Sequence, residues 1–124
     1  MIIDDEQEGR DVMKHLLTKF DEIKLIEVCG DADKGIEAVL KHKPDLIFLD
    51  IRMPRKSGLE VARELARLQV RSTIIFVTAY DRYAIQAIKL AAFDYLLKPV
   101  DPDELRMVIG KFKKTKGEMN PEPF

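Results

Sequence analysis

Apolar residues fall in two alternating rhythms along the chain. Leu46-Ile47-Phe48-Leu49 runs without a polar break and stops at Asp50. A run of this kind suits a strand covered on both faces, as in a parallel sheet between helices. Pro44 and Pro54 bracket it too closely for a helix. Thr73-Ile74-Ile75-Phe76-Val77-Thr78 repeats the pattern and ends on a hydroxyl. Shorter runs at Met1-Ile2-Ile3, Leu25 to Cys29 and Phe93 to Leu97 predict three more strands. The first is shorter than the ~5–6 residues usual for a strand, so a few N-terminal residues are expected to be missing.

Between these runs the period changes to that of a helix. Val12, Met13, Leu16, Leu17 and Phe20 share one stripe; Ile36, Val39 and Leu40 share a second, with Asp33 as the expected cap. Leu59, Ala62, Leu65, Ala66 and Leu68 form a third, and Ala84, Ile85, Ala87 and Ile88 a fourth. The fifth, with Leu105, Val108, Ile109 and Phe112, opens at Asp101-Pro102-Asp103-Glu104, which combines a cap, a proline in the first turn and the partner for a capping box. Strand–helix alternation repeated five times predicts an α/β domain, a doubly wound parallel sheet with helices on both faces. The expected division is one domain over residues 1–116 and a linker or tail over 117–124.

With 124 residues there is room for one core. The formal net charge of −1 exerts no global pull toward nucleic acid or anionic lipid. No apolar run approaches the ~20 residues of a membrane span. No secretory leader is visible, because Asp4-Asp5 follows Met1-Ile2-Ile3 at once. The single cysteine, Cys29, reads as a small strand hydrophobe in a reducing compartment, so a cytoplasmic location is expected. His15 and His42 sit among lysines with no third ligand nearby in sequence, and the lysines from Lys111 to Lys116 read as a solvated helix face.

Strand order aside, a parallel sheet sends all its C-terminal tips to one rim. Asp4 and Asp5 end the first strand, Asp50 the third, Thr78 the fourth and Lys98 the fifth. Three carboxylates crowded there would raise one another's pKa, and a hard divalent cation such as Mg²⁺ relieves that repulsion. Lys98 adds a point charge for an anion and Thr78 a donor, so a carboxylate in this company suits nucleophilic attack on a phosphoryl group.

Ile2-Ile3-Asp4-Asp5-Glu6, Leu49-Asp50-Ile51-Arg52-Met53-Pro54 with Gly58, Val77-Thr78-Ala79 and Leu97-Lys98-Pro99 together resemble the receiver domain of two-component response regulators. The resemblance extends from residue 1 to about residue 116. It implies a flavodoxin-like (βα)5 fold with strand order 2-1-3-4-5. It implies a signalling domain that catalyses only its own phosphorylation and dephosphorylation, with Asp50 accepting a phosphoryl group from a sensor histidine kinase. Asp5 and Asp50 would bind Mg²⁺ directly, Asp4 through water, and Arg52 through its backbone carbonyl. Thr78 and Lys98 would hold the phosphoryl oxygens, Tyr95 would be the switch aromatic, and Lys98-Pro99 would be cis. Ala79-Tyr80-Asp81-Arg82-Tyr83-Ala84 with Phe93-Asp94-Tyr95-Leu96-Leu97-Lys98-Pro99 resembles receivers that precede a LytTR-type DNA-binding domain. The expectation is therefore an excised receiver that reaches DNA only through an absent C-terminal domain. Its homodimer would form, on phosphorylation, through the fourth helix, fifth strand and fifth helix.

Three other readings compete. A haloacid dehalogenase-type phosphatase would want an aspartate where Arg52 stands, and a cap domain. A degenerate, purely binding receiver would lack one of Asp5, Asp50, Thr78 or Lys98. A flavodoxin would carry a Ser/Thr/Gly-rich phosphate loop where this chain has Glu6-Gln7-Glu8.

Overall fold

The computed structural model describes residues 1–80 and 92–119, with side chains to residue 116. The central strand β3 (Leu46–Asp50) is buried at every position. Its side chains alternate between two cores. Ile47 and Leu49 face a cluster with Ile36, Val39, Val61 and Leu65, whereas Leu46 and Phe48 face one with Met13, Leu16, Leu105 and Ile109. Both faces are therefore covered, which is why the apolar run is unbroken.

The chain order is β1 (Ile2–Ile3), α1 (Gln7–Leu17), β2 (Val28–Cys29), α2 (Ala32–His42), β3, α3 (Gly58–Arg67), β4 (Thr73–Thr78), β5 (Asp94–Leu97) and α4 (Pro102–Met119). The sheet has the order β2-β1-β3-β4-β5, and every pairing is parallel. Fold class and strand order are as expected from the sequence. The predicted helix around Ala84 to Ile88 lies outside the described residues.

Several boundaries differ. β2 keeps only Val28 and Cys29 of the predicted run from Leu25, because its neighbour β1 offers just two residues to pair with. The cap of α2 is Asp31, whose side chain accepts from the Lys34 amide, and not Asp33. Asp33 instead reaches Lys56 at 3.1 Å. Val12, Leu40 and Leu68, placed on buried stripes by periodicity, are exposed. The last helix continues through Gly117 to Met119. Its Asp101 cap is present, accepting from the Asp103 amide. Its lysines are less free than the sequence suggests. Lys111 pairs with Asp94, Lys113 with Glu22 and Lys116 with Asp45, so the helix is tied to three other segments. Such exposed pairs contribute only ~0–1 kcal/mol each. Among the described residues no helix is long and apolar enough to cross a membrane.

The loop after β3 holds Arg55 at φ 70°, a left-handed conformation. That geometry costs a residue with a Cβ ~1–2 kcal/mol, whereas glycine there would add ~0.5–1 kcal/mol of unfolded-chain freedom. Arg55→Gly should therefore stabilise the domain by roughly 0.5–1 kcal/mol. A lower urea midpoint for the variant would contradict this.

Candidate phosphoacceptor site

Among the described residues the buried polar or charged side chains are Asp4, Asp50 and Thr78, and all three stand at the C-terminal rim of the sheet. Burying such groups is costly unless they are partnered, so their concentration at one place needs an account. Register produces it. β3 pairs with β4 through Asp50 opposite Val77, and β4 with β5 through Thr78 opposite Leu97. The Lys98 amide then donates to the Thr78 carbonyl at 2.8 Å, fixing Lys98 one step beyond the sheet.

From there the Lys98 ammonium turns inward. Its Nζ donates to Asp4 Oδ2 at 2.8 Å and lies 3.6 Å from Asp50 Oδ2. Burial by itself would lower the Lys98 pKa. The hydrogen bond to Asp4 and the charges of Asp50, Asp4 and Glu6 outweigh burial and raise it. Asp50 is pushed up to about 7, first by burial, with Asp4 and Asp5 adding to the shift and Lys98 opposing it. Carboxylate oxygens of Asp4, Asp5, Glu6 and Asp50 all lie within 4.8 Å of one another.

The donor set fits a hard divalent cation. It is all oxygen, it is rich in negative charge, and Asp5 Oδ1 is buried without a hydrogen-bond partner among the described residues. The structure thus brings together Asp4, Asp5, Asp50, Thr78 and Lys98. Glu6 joins them, although from sequence it was only part of a motif; its position directly after Asp4-Asp5 was the available signal.

Arg52 is exposed beside the cluster, and its guanidinium lies 4.8 Å from the centre of the Tyr80 ring. Tyr95 stands on β5, its ring partly buried against the core cluster that includes Ile47 and Phe76. Its hydroxyl donates to the Tyr80 carbonyl, while the Tyr80 amide faces Thr78 Oγ1 at 3.4 Å. Thr78 and Tyr95 are therefore linked through one residue. An open cleft of about 540 Å³, lined by Glu6, Arg52, Met53, Pro54, Ala79 and Tyr80, leads to this rim. A larger one of about 640 Å³ lies at the opposite end of the sheet, near Pro44, Thr73 and Phe112, away from these groups.

The peptide bond Lys98-Pro99 is cis, as expected. Gly58 opens α3 directly under the site; its amide donates to the Ile51 carbonyl at 2.8 Å, and a Cβ there would stand 2.0 Å from the Asp50 carbonyl oxygen. His42 pairs with Glu27 at 2.7 Å and His15 is exposed on α1, both apart from the cluster.

A parallel α/β sheet with an acidic pocket, a lysine and a hydroxyl at its strand tips defines a class, and comparison with known proteins agrees. The model of the response regulator receiver domain matches residues 1–110, so the chain belongs to that family. LytTR-type response regulators are among its relatives. It is 38% identical over 116 residues to "Sensory transduction protein LytT" of Bacillus anthracis, covering 94% of this chain and 47% of that protein. It is 40% identical over 120 residues to "Transcriptional regulatory protein BtsR" of Escherichia coli (strain K12), covering 97% and 50%. The chain thus spans about half the length of these relatives. Among solved structures, response regulator protein TrrA from Thermotoga maritima, in complex with Mg²⁺–BeF, superposes with a TM-score of 0.79 at 32% identity, covering 90% of this chain and 95% of that one.

Proposed function

We propose that this receiver domain takes a phosphoryl group onto Asp50 from a sensor histidine kinase, and that Mg²⁺ is required. The observation that carries the reading is a buried carboxylate, Asp50, 3.6 Å from the Lys98 ammonium and inside a cluster of four acidic groups. The complex of TrrA with Mg²⁺–BeF supports it.

An Asp50 carboxylate oxygen attacks the phosphorus of the phosphohistidine. The P–N bond breaks, its electron pair stays on the imidazole nitrogen, and that nitrogen takes a proton from solvent. Lys98 and Thr78 hold the equatorial oxygens as charge shifts onto them. Asp5, Asp50 and the Arg52 carbonyl would hold the ion, with Asp4 acting through water. When bound, the ion neutralises charge on the phosphoryl oxygens and on the carboxylates.

Phosphorylation would draw the Thr78 hydroxyl toward a phosphoryl oxygen and bias the Tyr95 ring through Tyr80. The output is a homodimer through β5, α4 and the predicted helix between β4 and β5. Relatives of twice the length support a following LytTR-type domain that binds DNA and controls transcription.

Acetyl phosphate and Mg²⁺ should add one phosphoryl group, read by intact mass and labile to base, and light scattering of the same sample should report a dimer. Asp50→Asn should gain no mass and remain monomeric. Full labelling of that variant would remove Asp50 from the role; labelling of the wild type without a change in mass by scattering would remove the dimer.

A further inference from the structure

The residues around Asp4 show how the acidic rim is held in place. Its amide donates to the Cys29 carbonyl at 3.1 Å, continuing the sheet. Its Oδ1 accepts from the Glu6 amide at 2.9 Å and its Oδ2 from Lys98 at 2.8 Å. One group is left, the backbone carbonyl, at the point where the chain leaves β1 and turns toward α1. There Arg10, in the first turns of α1, donates Nη1 to the Asp4 carbonyl oxygen at 2.8 Å.

That bond fixes the plane of the peptide joining Asp4 to Asp5. The next side chain along is the Asp5 carboxylate, whose Oδ1 is buried within the acidic cluster and has no hydrogen-bond partner among the described residues. Rotating this peptide would swing Asp5 away from Asp50. Room for the guanidinium is limited: a Cβ on Gly30, at the end of β2, would stand 3.2 Å from Arg10 Nη1. Arg10 is thus seated between the tips of two strands and the first turns of α1.

We infer that Arg10 is a positioning residue for the acidic site, one that holds the Asp4–Asp5 peptide so that Asp5 faces Asp50 and can share a divalent cation with it. The inference rests on the reading of this rim as a Mg²⁺ and phosphoryl site. It assigns Arg10 no contact with the ion or the reacting atoms.

The test is Mg²⁺ binding by calorimetry, with the Mg²⁺ dependence of Asp50 labelling by acetyl phosphate as a second readout. A hydrogen bond from a charged donor is worth ~1.5–3 kcal/mol, and ~1.4 kcal/mol is tenfold, so Arg10→Gln should weaken Mg²⁺ binding by at least about tenfold. The labelling rate at saturating Mg²⁺ should stay within about twofold of wild type, because the reacting groups remain and the ion restores the site. Arg10→Lys, which keeps one donor and the charge, should recover most of the affinity; it serves alone if Arg10→Gln does not fold, with an expected loss of about threefold. A melting temperature that falls while Mg²⁺ affinity stays unchanged would overturn the inference and leave Arg10 a purely structural residue. Wild type that neither binds Mg²⁺ nor becomes labelled would overturn the phosphoacceptor reading itself, a different outcome from equal affinities in wild type and variants.

Discussion

Gly58→Ala should destabilise the domain by at least about 3 kcal/mol, the upper range for forcing an extra methyl into a packed site. The Cβ would stand 2.0 Å from the Asp50 carbonyl oxygen and 2.9 Å from the Asp50 carbonyl carbon and from Ile51 Cα. These are backbone atoms, so no rotamer change relieves the contact. Asp50 ends a strand buried at every position, and Gly58 is anchored just beyond it by its bond to the Ile51 carbonyl. Either α3 or the acceptor must move. A displacement of ~1 Å at a reacting group can cost ~10²-fold in rate, so labelling of Asp50 should slow by more than tenfold even in the folded fraction. Gly110→Ala is the matched control. Gly110 lies within α4, is exposed, and would place its Cβ with nothing within 4 Å. It should stabilise by ~0.5–1 kcal/mol through helix propensity alone. Urea denaturation of the two variants measures both signs; a Gly58→Ala loss below ~1 kcal/mol would show that the loop yields easily.

Asp50→Asn should raise the melting temperature of the metal-free protein at pH 8 and leave it nearly unchanged at pH 4. In the folded protein the Asp50 carboxyl is pushed up to about 7 from an ordinary 3.8. Between those values the folded state binds more protons than the unfolded one, so stability contributed by this group falls as pH rises. The deficit is absent below about pH 4, grows through the interval and is complete above about pH 7. At ~1.4 kcal/mol per unit over about three units, the full deficit is of the order of 4 kcal/mol, or roughly 10–20 °C for a domain of this size. Asparagine removes the charge and with it the deficit. Mg²⁺ should therefore stabilise wild type several-fold more than the variant. Equal melting temperatures at pH 8 would mean that Lys98 already compensates the crowded carboxylates.

Much of this domain is legible in its residues because two periods carry it. The unbroken runs in β3 and β4 report burial on both faces, and the helical stripes report one. Strand tips follow from where those runs stop, so Asp4, Asp5, Asp50, Thr78 and Lys98 could be named from sequence. Periodicity also misled: Val12, Leu40 and Leu68 keep helical spacing but lie at the margin of their stripes, where neighbours do not reach. Asp31 and Asp33 are equally good caps by type, and only the path into α2 decides for Asp31.

What the chain's own pattern determined is the class of fold, the rim and the chemical kinds gathered there, since burial and alternation are local properties written into residue order. The strand order came from resemblance rather than from periodicity. Distances were decided only in three dimensions. Lys98 is 94 residues from Asp4 yet bonds to it, because β5 and β1 flank β4 and β3 in one sheet. Arg10 is an ordinary helix residue by sequence, and nothing in its neighbours marks the carbonyl it holds. The raised Asp50 pKa likewise belongs to no residue type; it arises when burial and two further carboxylates are brought to one strand tip.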